Sequence, residues 1–129
     1  MATPSRLKTV SLWIASAVLA AIFLATGVPK LGGAQGWVQH FAQWGYADWF
    51  RLVVGAVEVI SGTLLLIPRL ATIGASGIAV IMAGATYTHI FRASDEAGRA
   101  IFTMILLVVA ATIGYARRPR TRSEATKLN

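Results

Sequence analysis

Apolar runs long enough to cross a bilayer alternate along the chain with short polar connections. The runs cover about Thr9–Val28, Phe50–Pro68, Leu70–Phe91 and Ala100–Ala116. Each suits a helix of about 20 residues, the length that spans a hydrocarbon core of roughly 30 Å. The pattern therefore predicts an all-α fold, a four-transmembrane-helix bundle forming a single membrane domain over residues 1–129. Between the first two runs, residues 34–49 are rich in Trp and too polar to span. Trp37, Phe41 and Trp44 recur there at i, i+4 and i+7, which predicts a short interfacial helix. Anchoring at the membrane surface is its simplest role; a lid over a pocket is the alternative.

Breakers and small residues refine this outline. Gly27, Pro29, Gly32 and Gly33 are expected to close the first helix, with Lys30 at its mouth. Pro4 argues against a long leading helix in the basic segment Met1–Lys8. Ala17, Ala21 and Ala25 sit four residues apart, a spacing that lets a second helix approach closely. The basic start and Ala15-Ser16-Ala17 also fit a cleavable signal peptide. The apolar run is longer than a usual signal core, however, and losing it would leave three spans, so an uncleaved helix is expected. Pro68-Arg69 is a turn so short that the second and third helices must be antiparallel neighbours. The third carries Gly74, Gly77 and Gly84 with Ala75, Ala79 and Ala83, and is expected to pack most closely. The fourth has no ionisable group before Tyr115.

The second run holds the chemistry. Glu58 stands near its middle, and a charge at bilayer depth costs roughly 2.5–3.5 kcal/mol on insertion scales. On a helix, Arg51, Gly55, Glu58, Ser61, Gly62 and Leu65 share one small, polar or charged face. That face should point into the bundle. Lys30, Arg51 and His89 would ring the same mouth, with Glu58 roughly 10 Å deeper than Arg51 at 1.5 Å per residue. Two readings stay open: a structural ion pair, or a site that binds a polar head group or passes a proton.

Composition agrees with the membrane reading, since 56% of residues are hydrophobic and only 13% charged. Soluble domains carry about a quarter charged residues. The net charge of +7 sits at the flanks of apolar runs, which signals topology and argues against nucleic acid as a partner. Arg6, Lys8, Arg69, Arg117, Arg118, Arg120, Arg122 and Lys127 would share one side, against Lys30, Arg51, Arg92 and Arg99 on the other. The positive-inside rule then places both termini in the cytoplasm. The basic tail 117–129 is expected to be disordered and to rest on anionic lipid. With no cysteine, disulfides and thiolate metal sites are excluded. No second His or carboxylate lies at metal-ligand spacing, so no metal is expected. A haem held by His40 and His89 is disfavoured because His40 lies in the interfacial segment. A phosphate loop, a GxGxxG motif and a nucleophile–base pair are all missing from the sequence, so catalytic residues remain unassigned.

Three stretches also resemble a known family. Phe23–Leu31, with its Phe, Gly and Lys, resembles the first-helix ending of the DoxX and DoxX-like proteins. Val54–Arg69, a Glu followed by a Gly and a Leu run, resembles that family's second helix, with Ser61 where a second Gly often stands. Gly84–His89 is similar to the histidine-ended third helix. The resemblance covers about residues 19 to 115. It implies a bacterial inner-membrane protein of four helices, and named members are associated with quinone-linked thiosulfate oxidation, quinone or catechol resistance, and membrane oxidoreductase complexes. Carried over, it marks Lys30, Glu58 and His89 as site residues. If the mouth binds a flat head group, Trp44 or Tyr87 would stack nearby, with Arg51 at the mouth. The chain is expected to serve as an oxidoreductase-associated subunit rather than an autonomous enzyme, with no cofactor of its own beyond a bound quinone. Its partners would be the lipid bilayer, oxidoreductase proteins and a second copy. The alternatives are a small proton-coupled exporter of lipophilic compounds and a purely structural membrane scaffold. Small multidrug-resistance transporters share the four spans and single carboxylate, although they carry the carboxylate in the first span.

Overall fold

A computed structural model describes residues 4–119, and these are helical without any strand. Five α-helices follow in order: α1 (Pro4–Leu31), α2 (Gln35–Gln43), α3 (Asp48–Leu65), α4 (Ala71–Phe91) and α5 (Gly98–Ala116). Single 3-10 turns at Pro68–Leu70 and Ser94–Glu96 join α3 to α4 and α4 to α5. The four long helices run up and down, with α3 against α1, α4 against α3 and α5 against α4. α1 and α5 close the ring more sparingly. The start of α1 and the end of α5 lie at one end of the bundle, α2 at the other.

The predicted face of α3 is the one the fold buries: Arg51, Gly55, Glu58, Ser61, Gly62 and Leu65 are its buried residues. Glycines set how near the neighbours come. A Cβ on Gly27 would lie 3.0 Å from the Gly55 carbonyl oxygen, and one on Gly55 would lie 2.9 Å from Lys30 Cβ. Across the next interface, a Cβ on Gly74 would meet the Ser61 carbonyl oxygen at 2.6 Å and the Leu65 nitrogen at 2.9 Å. Gly77 faces the Ser61 hydroxyl. Glycine on α4 thus makes room for the Ser that stands in α3 where the family resemblance leads one to look for Gly. Of the α4 glycines, Gly84 has open space beside it, so close packing holds only over the half of α4 nearer the termini.

Leu19, Leu65, Ile78 and Ile113 belong to the core, which Phe23 and Leu106 carry on toward the wider half. Outward-facing positions are apolar as well: Val18, Ile73, Val80, Ile101, Ile105 and Val108 are each more than half exposed. Water does not favour such a continuous apolar exterior; acyl chains do. Arg6–Leu31, Pro68–Phe91 and Gly98–Ala116 are long and apolar enough to cross a membrane. α3 has only 18 residues and carries Asp48, Arg51 and Glu58, which keeps it short of the same measure. At the terminal end, the Arg117 guanidinium lies 4.7 Å over the Trp13 ring, and Thr72 Oγ1 donates to the Gly114 carbonyl at 3.1 Å.

Several local expectations are corrected. α1 begins at Pro4 instead of being delayed by it, since the first position of a helix lacks no hydrogen bond for want of an N–H. It also runs through Gly27 and Pro29 to Leu31 and stops only before Gly33, at φ +75°. Ala17, Ala21 and Ala25 face outward. The helix approaches α3 on a different set, Ala20, Phe23, Gly27 and Lys30, because Gly27 and Lys30 have their counterparts Gly55 and Glu58 there. Arg120, Arg122 and Lys127 of the expected tail lie outside the described residues.

Candidate functional site

Where α4 loses its close packing at Gly84, the bundle widens into a cavity of about 600 Å³. α2 roofs it. Two glycines with left-handed backbone, Gly33 at φ +75° and Gly45 at φ +83°, turn the chain into and out of this short helix. Between them Trp37, Phe41 and Trp44 line the cavity, as their spacing allows. Trp44 stacks on His40 at 5.5 Å and meets His89 edge-on at 5.6 Å. The roof is fastened to α4, since Arg92 Nη1 donates to the Trp44 carbonyl at 3.0 Å. The Tyr46 and Thr88 hydroxyls share a hydrogen bond of 2.7 Å.

An ion pair sits in the wall below. Lys30 Nζ donates to Glu58 Oε1 at 3.0 Å and Oε2 at 2.9 Å, and both residues are almost fully buried, 4% and 3% exposed. Thr26 Oγ1 donates to Glu58 Oε2 at 3.2 Å. The ammonium also lies 3.7 Å from the centroid of the Trp37 ring, a cation–π contact that ties the roof to the pair. The pair therefore meets the condition under which buried charges persist: each charge is answered by the other, and Thr26 adds a hydrogen bond to the carboxylate.

Of the six expected site residues, Lys30, Glu58, His89, Tyr87 and Trp44 line the cavity. Arg51 does not. Its guanidinium donates to the Lys30 carbonyl and bonds Asp48 Oδ1 at 3.1 Å, so it closes the end of α1 and holds Lys30 in place. Tyr87 stands at the rim, half exposed, with its ring 5.1 Å from Phe91. His89 is buried, and its Nδ1 lies 3.5 Å from Glu96 Oε2 without a hydrogen bond. Thr26, Tyr46 and Thr88 lie beyond the expected set, while Trp37 enters the lining through the lid alternative of the short helix. Thr26 carried a signal, standing four residues before Lys30 on the same helical face; Tyr46 and Thr88 did not, because 42 residues separate them. Tyr46→Phe removes one partly buried hydrogen bond and is expected to cost about 1 kcal/mol, read as a lower melting temperature in detergent with unchanged helical content.

An exterior fit for lipid, three helices able to cross it and a walled internal cavity define a small helical membrane protein. Residues 14–113 match the model of the DoxX-like family, and the chain belongs to that family. A curated relative, the uncharacterized protein YdgD of Bacillus subtilis (strain 168), is 38% identical over 100 residues, 74% of this chain and 87% of that protein. No solved structure matches the chain.

Proposed function

We propose that this protein binds a quinone-like molecule in the cavity beneath α2, as an accessory subunit of an oxidoreductase system in the bacterial cytoplasmic membrane. The observation that carries this reading is the cavity itself. Its walls are mainly apolar, among them Phe23, Val54, Ile81, Met82 and Leu106, while a few polar groups, Lys30, Glu58 and His89, meet in it beside aromatic rings. A flat head with carbonyl oxygens needs donors within an apolar slot, and the Lys30 ammonium and His89 imidazole are such donors. When bound, a quinone supplies the two-electron chemistry; the chain's residues orient the head and exchange protons with it. Absence of cysteine, together with only two histidines in the sequence, favours a subunit that works beside a redox partner.

The same reading makes α3 a fourth span and the whole chain one membrane domain. Glu58 crosses in the company of Lys30, and Asp48 and Arg51 sit in the first turn, near the interface. α2 then lies at the outer interface. With the twelve basic residues split eight to four, the termini face the cytoplasm.

The test is direct binding. Titrating a decyl-tailed benzoquinone into nanodisc-embedded protein is expected to quench tryptophan emission saturably, because Trp37 and Trp44 line the cavity. Trp44→Phe should diminish the quenched fraction. Quenching that stays linear in quinone, as with random collision in the bilayer, would remove the proposal.

A further inference from the structure

The sides of the cavity are not equally closed. α1 is held to α3 by the Lys30–Glu58 pair, the loop leading into α3 to α4 by the Tyr46–Thr88 bond, and α4 to α5 by a 2.8 Å bond between the Thr86 and Thr103 hydroxyls. The roof is tied down by Arg92 and by the Lys30–Trp37 contact. α1 and α5 differ. They meet at the terminal end, where Arg117 covers Trp13. Toward α2 they part around the cavity, lined by Ile22 and Thr26 from one and by Phe102 and Leu106 from the other. Among the described residues, no hydrogen bond or ion pair links residues 22–31 to α5.

Phe102 marks this gap. Its side chain lines the cavity, and the residue is 57% exposed. One ring thus faces both the interior and the surroundings. Ile22, Phe102 and Leu106 offer a hydrocarbon surface from the lipid side to the ion pair, whereas a molecule arriving from water would meet the aromatic roof.

We propose that the cavity is loaded sideways from the bilayer, through the seam between α1 and α5 with Phe102 standing in it. The ligand class is then an uncharged amphiphile dissolved in lipid. Its flat polar head reaches Lys30 and Glu58, and its apolar chain stays in the seam between Ile22 and Phe102. This deepens the binding reading above and rests on it.

The cysteine-free chain makes the test clean. Ile22→Cys/Phe102→Cys, placed in nanodiscs, is bridged with a flexible bismaleimide either before or after exposure to a decyl-tailed benzoquinone. Bridging the empty protein is expected to slow loading, followed by tryptophan quenching in stopped flow, by at least about tenfold. Bridging the loaded protein should retain the quinone through washing, which also shows that the bridge leaves the cavity intact. Phe102→Trp provides an independent check without chemistry and should slow loading, while Phe102→Ala should speed it. A sulfonated benzoquinone, confined to water, should fail to displace the tailed probe. Unchanged loading after bridging and in both Phe102 variants would overturn the seam, as would efficient displacement by the sulfonated compound. If the unsubstituted protein binds no quinone at all, the binding reading itself falls and takes the seam with it; the two failures are therefore told apart.

Discussion

Replacing Glu58 by Gln alone is expected to destabilise the protein by about 3–5 kcal/mol, because it strands the Lys30 ammonium in a buried setting. Lys30→Met alone should act in the same direction by leaving the carboxylate without its partner. Combining the two, Lys30→Met/Glu58→Gln, should return most of the lost stability, since a neutral pair of similar volume removes the unanswered charge. Thermal unfolding in detergent measures this cycle. Binding separates the roles of the pair: a scaffold-only pair would let the double variant bind quinone as before, whereas a head-group site loses at least about tenfold in affinity, roughly 1.4 kcal/mol. A double variant as unstable as either single one would contradict the pairwise account.

Gly74→Val should be comparably damaging, for a different reason. Even a bare Cβ at this position would stand 2.6 Å from the Ser61 carbonyl oxygen and 2.9 Å from the Leu65 nitrogen. These are backbone atoms of a helix, so rotation of a side chain gives no relief, and α3 and α4 must separate. Overpacking commonly costs about 1–3 kcal/mol, and more where nothing can yield. Gly84→Val makes the internal control, because nothing lies within 4 Å of a Cβ there. Comparing the yield of monodisperse protein for the two variants checks the claim; equal yields would refute it.

How far the fold and site were legible depended on whether a residue's role was local. Arg51, Gly55, Glu58, Ser61, Gly62 and Leu65 declared their face through helical spacing alone, and α3 buries those six. Trp37, Phe41 and Trp44 likewise announced one face, although periodicity could not say whether it would meet lipid or a cavity. α1 offered two sets of small residues, and only the partner helix decides between them: Gly27 has Gly55 opposite, while Ala17, Ala21 and Ala25 have no such counterpart. Arg51 was equally plausible as a cavity residue until Asp48 and the Lys30 carbonyl claimed it. Tyr46 and Thr88 find each other only through the fold. Both prolines of α1 were read as breakers on propensity, which tertiary packing overrode at Pro29.

The closeness of Lys30 to both oxygens of Glu58 has a bearing on selectivity. The opposite charges of the couple sum to zero, so a guest in the cavity meets a dipole and not a monopole. A positively charged guest would gain no overall Coulomb attraction and would have to evict the ammonium that already occupies the Glu58 carboxylate, past Arg99 at the rim. Uncharged carbonyl compounds face no such competition. For the binding role proposed above, this lining suits neutral guests better than lipophilic cations.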